Sequence, residues 1–363
     1  MIVGYLISAI ALALVIVYVL QLRKWRKAWN DAPIHVPNSD VINATVIIPV
    51  HNEIRHIEDL FKSLMQQFIG ANEIIFVCDN CTDGTDDFLS RLVFDRRDCK
   101  LIVNTGTPGK KEAQRLGIEA ASNDVVIFID ADCTLPQWWH SAISSYHCKY
   151  RPDLLIAPVF MRGDGSTFQH IIELEFLALQ MCTAGAALSG TPFMCNGANL
   201  SLPKRLYKRR DKSDVYVSGD DMFLLADIKK HDGKIAYIKS HDAIVTTPTP
   251  HSLPSYLKQR TRWLRKATGY TDITVVAIGL LIFFVNVAVP LLFGLSFVDV
   301  LYLVPAVTVF LTKLIAEYLL LKAGEKFWRV IVDFESVFIL ALVYPINVVF
   351  ISVLTLFRNP KKW

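Results

Sequence analysis

The chain has 363 residues, 52% of them hydrophobic, and a formal net charge of only +4, with a mean hydropathy of +0.35. This balance argues against a purely soluble protein and against nucleic acid as a partner, and it predicts membrane segments whose basic flanks face anionic lipid. The seven cysteines are scattered, so free thiols are expected, and Cys78 and Cys81 have no second pair at zinc spacing beside them.

The first apolar run, residues 2–20, carries no charge and is followed by Arg23, Lys24, Arg26 and Lys27. It is long enough to cross a hydrocarbon layer of about 30 Å. We read it as a transmembrane anchor over residues 1–22 with a basic linker over 23–43. A cleaved signal peptide would show basic residues before the run and a small-residue cleavage site after it, and neither is present. The basic cluster after the span predicts a cytoplasmic domain next.

Residues 44–250 read as that domain. Short β-branched runs at 45–50, 73–78, 100–103 and 124–129 alternate with polar loops and amphipathic stretches at 57–66 and 112–121. The alternation predicts an α/β fold with a largely parallel sheet and helices on both faces. In such a sheet ligands bind at the carboxyl ends of the strands. The polar clusters fall there: His51 and Glu53, Asp79 and Asp83, Lys110 and Lys111, Asp130 and Asp132. Asp130 and Asp132, one residue apart at a strand end, repel each other unless a cation lies between them, and a hard divalent ion such as Mg2+ or Mn2+ fits that need. A turn or helix cap before Pro136 is the competing reading.

Residues 168–180 are amphipathic and continue apolar to 188. The stretch reads as core or as an interfacial helix, and we favour the latter. Asp220 and Asp221 precede the apolar residues 222–225 and suit the start of a helix. Gln259, Arg262 and Trp263 lie on a basic amphipathic helix over 251–271. Three further spans follow within 272–357, at 273–297, 298–321 and 334–357. Residues 322–329 form a basic loop between the last two, Pro345 is a candidate break in the third, and a basic tail occupies 358–363. Lys313 and Glu317, four apart, read as an ion pair that snorkels to the membrane surface.

Taken in order, several segments resemble the family 2 glycosyltransferases of GT-A fold: residues 46–53 (VIIPVHNE), 77–85 (VCDNCTDGT), Gly109-Lys110, Asp130-Ala131-Asp132, Cys195-Asn196-Gly197-Ala198-Asn199, Ser218-Gly219-Asp220-Asp221 and Gln259-Arg260-Thr261-Arg262-Trp263. The resemblance covers about residues 44–270 and is closest to the membrane-bound branch. It implies a GT-A, Rossmann-like cytoplasmic domain with one N-terminal and about three C-terminal transmembrane or interfacial helices, in a bacterial inner membrane. It further implies that Pro49, His51, Glu53, Asp79, Lys110, Asp130 and Arg262 bind the donor. Asp132, with Asp130, would hold Mg2+ or Mn2+. Asp221 would be the base that deprotonates the acceptor, with Asp220 its neighbour, and Cys195, Asn196, Gly197, Gln259 and Trp263 would line the acceptor or sugar pocket. His51 stands where the family often has tyrosine, and Cys78 replaces a common aspartate. The implied reaction is inverting transfer of a sugar from a UDP-sugar, or alternatively a GDP-sugar, to a hydroxyl of a lipid or lipid-linked acceptor. A processive polysaccharide synthase and a catalytically inactive scaffold are the alternatives.

Overall fold

The computed structural model describes residues 2–67, 73–207, 220–264 and 269–357. In chain order its elements are α1 (Ile2–Asp31), β1 (Ala44–Val50), α2 (Ile57–Met65), β2 (Glu73–Asp79), α3 (Thr85–Val93), β3 (Cys99–Asn104), α4 (Lys110–Ala120), β4 (Val125–Ile129), α5 (Trp139–Tyr150), β5 (Leu154–Ile156), β6 (Val159–Arg162), α6 (Thr167–Leu188), β7 (Asn199–Pro203), α7 (Asp220–Lys230), β8 (Ile235–Tyr237), β9 (Val245–Pro248), α8 (Leu253–Leu264), α9 (Ile273–Ser296), α10 (Leu303–Trp328) and α11 (Phe334–Phe357). They divide into two compact units. A sheet unit holds Pro33–Met161 and Met194–Pro248, and a helical unit holds Met1–Ala32, Arg162–Phe193 and Thr249–Pro360.

The sheet unit is built on seven strands in the order β3-β2-β1-β4-β7-β5-β8. β3, β2, β1 and β4 run parallel, whereas β7 is antiparallel to both β4 and β5. β1 and β2 are buried along nearly their whole length, the continuous apolar pattern of strands covered on both faces. α4 lies close on this sheet because Gly117 has no side chain: a Cβ there would stand 2.4 Å from Ile47 Cγ2. All seven cysteines are free.

The opposite end of the sheet from the predicted ligand loops is held by Glu73, which is 9% exposed. Its carboxylate accepts from Thr45 Oγ1 at 2.7 Å, from Ser122 N at 2.7 Å and from Ser122 Oγ at 3.0 Å, and it pairs with Lys100 at 2.5 Å. Burial by itself pushes this carboxyl upward, but the donors from Lys100, Ser122 and Thr45 outweigh it and bring it down to about 2.

The helical unit corrects several expectations. Residues 162–193 belong to it, so 44–250 is not one domain. α1 does not stop at the basic cluster but continues to Asp31, because Leu22, Trp25 and Trp29, at helical spacing, are buried while Arg23, Lys24 and Lys27 stay exposed. Trp25 stacks on Phe193 at 5.3 Å, and Trp29 Nε1 donates to the Ala323 carbonyl at 3.0 Å. α10 likewise runs on to Trp328 through the stretch expected to be a loop, since Phe327 and Trp328 are buried in the unit. α11 is unbroken through Pro345.

Among the described residues five helices are long and apolar enough to cross a membrane, α6 among them. α6 is not amphipathic: residues 172–177 are buried consecutively, the mark of a helix covered all round and not of one lying at an interface. Lys313 does not snorkel either. It is 1% exposed and pairs with Glu317 at 2.8 Å, and Tyr18 of α1 donates to the same carboxylate at 2.7 Å. The basic tail at 358–363 lies outside the described residues.

The folded-state carboxyl of Glu73 is depressed, so its stabilisation is complete above the unfolded value and is lost as pH falls toward the folded one. We expect Glu73→Gln to cost roughly 2–3 kcal/mol near neutral pH, with the gap to wild type closing between about pH 5 and pH 2. Thermal unfolding of both proteins across that range measures it, and a gap independent of pH would contradict the assignment.

Candidate active site

The loops after β1, β2, β3 and β4 converge at the carboxyl end of the parallel strands. Pro49 is the penultimate residue of β1, and His51 follows it, with Nδ1 donating to the Asp79 carbonyl at 2.6 Å. Asn52 takes a positive φ of 58° and accepts from Thr82 N at 2.8 Å through Oδ1, which ties this loop to the one after β2. Glu53 meets His56 at 2.9 Å. Burial raises the Glu53 carboxyl, the His56 contact opposes that, and the charges of Asp132 and Asp130 add to the rise.

Asp79 is 3% exposed. Its carboxylate accepts from Gly109 N at 2.7 Å, Asn104 Nδ2 at 2.8 Å and Asn80 Nδ2 at 3.1 Å. Asn104 in turn donates to the Thr107 carbonyl at 2.9 Å and accepts from Gly106 N at 3.0 Å. The residue whose resemblance implies a contact to the base is therefore an internal hub for the loops after β2 and β3. Its grip on Gly109 sets the start of α4, where a φ of 144° requires glycine. This places Lys110, the next residue, so that its ammonium pairs with Asp130 Oδ1.

That ion pair resolves half of the repulsion after β4. Asp130 has a cation from the chain, whereas among the described residues Asp132 accepts from the Thr247 hydroxyl of β9 at 3.0 Å and the Cys133 thiol at 3.7 Å. Loss of solvent pushes the Asp132 carboxyl up, and the Asp130 charge pushes it further, against the Thr247 hydrogen bond and the more distant Lys110 and His56. A carboxylate so disfavoured as an anion fits a divalent ion, and both donors are the hard oxygens that Mg2+ and Mn2+ select. No group of three or more His, Cys, Asp and Glu side chains able to hold a metal occurs among the described residues. The chain thus supplies two carboxylates, and the remaining ligands would be phosphate oxygens and water.

A second cluster forms where residues 195–197 meet α7. Asp221 Oδ2 accepts from Gly197 N at 3.1 Å, Oδ1 accepts from Met222 N at 2.9 Å, and the Cys195 thiol donates to the Asp221 carbonyl at 3.2 Å. The carboxylate thus holds a backbone N–H of its own first turn and is oriented by another from outside its helix. Gly197 packs against this carboxylate, and a Cβ there would make ordinary contact with Asp221 Oδ2 at 3.5 Å. Asn196 Nδ2 is buried with no hydrogen-bond partner. Ser218, Gly219 and the side chain of Asp220 lie outside the described residues.

Gln259, Arg262 and Trp263 stand on α8 in the helical unit. Arg262 is exposed, and Gln259 and Trp263 are half-buried. Sequence reasoning missed Asn104, Thr247 and the Gly109 backbone, which act through hydrogen bonds that no motif reveals. It also missed Glu175 and Arg260, although a carboxylate within an apolar helical run was a visible signal.

The mainly parallel sheet, with its acidic cluster after β4, is a mixed α/β fold of GT-A-like topology. Residues 45–222 match the family described as Glycosyl transferase family 2. An N-acetylglucosaminyltransferase of Rhizobium meliloti is 26% identical over 272 residues, covering 69% of this chain and 58% of the relative. A dolichol-phosphate mannosyltransferase of Pyrococcus furiosus is 33% identical over 96 residues, 26% of this chain and 27% of the relative. The chain spans between a third and three fifths of the length of the first such relatives. Among solved structures, a mannosyltransferase of Pyrobaculum calidifontis in complex with GDP-Man and Mn2+ shares the fold, with a TM-score of 0.61, 16% identity and 98% of each chain covered.

Asp79→Asn would set an amide NH2 against the Gly109 N–H or the Asn104 NH2. We expect a loss of about 1–3 kcal/mol in stability, read as a lowered melting temperature. An unchanged melting temperature would show that the hub is dispensable.

Proposed function

We propose that the protein is a membrane-bound inverting glycosyltransferase. It moves a sugar from a nucleotide diphosphate sugar, a UDP-sugar or alternatively a GDP-sugar, to a hydroxyl of a lipid or lipid-linked acceptor. The observation that carries this reading is the pairing after β4, within the matched family region, of one neutralised carboxylate, Asp130, with one uncompensated carboxylate, Asp132. Five helices able to cross a membrane support a lipid acceptor, and the exposed Arg23, Lys24 and Lys27 at the end of the first support a cytoplasmic catalytic face of a bacterial inner membrane.

In this reading Asp132 and Asp130 hold Mg2+ or Mn2+, which when bound supplies Lewis-acid neutralisation of charge on the diphosphate. Pro49, His51 and Glu53 form the base-side loop, and Lys110 adds a positive charge beside the phosphates. Asp79 serves the donor by fixing Gly109 and Lys110. Asp221 accepts the proton of the acceptor hydroxyl, whose oxygen bonds to the anomeric carbon as the bond to the diphosphate breaks and its electron pair leaves with the nucleotide. The Gly197 N–H aims that carboxylate, and Asn196, with its unspent donor, is suited to a sugar or acceptor hydroxyl. Cys195 and Gly197 shape the acceptor side and Asp220 neighbours the base; the family resemblance assigns Arg262 to the diphosphate and Gln259 and Trp263 to the acceptor or sugar.

Two substitutions separate binding from chemistry. Asp221→Asn is expected to keep metal-dependent nucleotide binding while transfer falls by about 100- to 10,000-fold. Asp132→Ala is expected to lose both. Labelled donor, extracted lipid and product length are the readouts, and transfer unchanged in both variants would overturn the mechanism. A long polymer in place of a single transfer would convert the reading to a processive synthase.

A further inference from the structure

Among the buried charge clusters of the helical unit that the reaction as proposed does not use, one lies beside the α8 motif. Glu175 sits in α6 among consecutive buried residues, and Arg260 of α8 is 6% exposed. Arg260 Nε donates to Glu175 Oε1 at 3.1 Å and Nη2 donates to Oε2 at 2.9 Å, a bidentate pair. The Tyr256 hydroxyl donates to Glu175 Oε1 at 3.1 Å, and Asn347 Nδ2 of α11 donates to the Tyr256 oxygen at 3.1 Å.

What remains of the guanidinium is spent on two neighbours in α8. Nη1 donates to Gln259 Oε1 at 2.6 Å, which fixes the amide and leaves its Nε2 hydrogens as the donors Gln259 can offer a ligand. The guanidinium carbon lies 4.4 Å from the centre of the Trp263 ring, and that ring also packs on Phe176 at 6.2 Å. An apolar contact could hold α6 and α8 together without the desolvation that a buried ion pair requires. The pair's distinctive product is orientation, because a planar fork fixed on one edge by a carboxylate has little freedom on the others.

We propose that Glu175 and Arg260 are positioning residues of the transfer site, setting the amide of Gln259 and the indole of Trp263. The inference rests on the proposed part of those two side chains in transfer.

The test uses the full chain in detergent micelles, labelled with 5-fluorotryptophan, with the Trp263 fluorine resonance assigned by its loss in Trp263→Phe. The double variant Glu175→Gln/Arg260→Gln removes both charges and leaves neither buried alone. Its Trp263 resonance is expected to shift or broaden while that of Trp139, in the sheet unit, stays put. Its kcat is expected to fall on the order of tenfold to a hundredfold with donor KM little changed. Adding Trp263→Phe is expected to cost less than it does in wild type, since the two changes act through one contact. Arg260→Lys, which keeps the charge but not the fork, is expected not to restore turnover, and it carries the same test if the double variant does not fold. A folded variant with an unmoved Trp263 resonance, or with wild-type kcat, overturns the proposal. A wild-type chain that transfers no sugar counts against the proposed function instead, and the resonance alone then decides the positioning claim.

Discussion

The electrostatic conflict between Asp130 and Asp132 is the constraint on which the sheet unit is organised. Two carboxylates at the end of one strand raise each other's energy as anions, and partial loss of solvent makes it worse. The chain answers one of them with Lys110 and leaves the other to a hydroxyl and a thiol. Nearly every neighbouring feature serves that arrangement. Asp79 fixes Gly109, Gly109 starts α4, and the start of α4 presents Lys110. Gly117 lets the same helix lie close against Ile47 of β1. Glu73 locks the far end of the same strands, so the loops rise from a rigid base.

Much of this was legible in the sequence because it follows from strong local signals. The β-branched runs became β1 to β4 nearly where expected, and their parallel order brings the polar loops to one end of the sheet. The acidic and basic residues of the loops were visible as residues. Their partners were not. That Asp79 would be consumed by Asn104 and a backbone N–H, or that Thr247 would reach Asp132 from β9, depends on contacts between positions tens of residues apart. β7 also escaped the sequence reading, since its antiparallel run beside β4 is a tertiary choice.

The expected membrane-type helices, one near the N-terminus and three toward the other end, are present, and what failed was the reading of their charged residues. Charge was taken to end a helix or to seek the surface, and the structure does neither where tryptophan or a counter-charge provides cover. Trp25 and Trp29 carry α1 past its basic cluster, and Glu317 with Tyr18 keeps Lys313 buried. Leaving either partner alone would strand a charge away from water, so these pairs act as fixed register marks between helices. The same logic made α6, a helix expected at an interface, into a buried one that accepts Arg260 through Glu175.

The account's central claim is that the chain provides two carboxylates and relies on a divalent cation and a diphosphate to complete them. Calorimetric titration of the purified full chain with UDP- and GDP-sugars, first with Mn2+ and then with excess chelator, tests it most directly. Binding of one donor class in Mn2+ that disappears on chelation is the predicted result. Binding that is equally tight without the metal would contradict it.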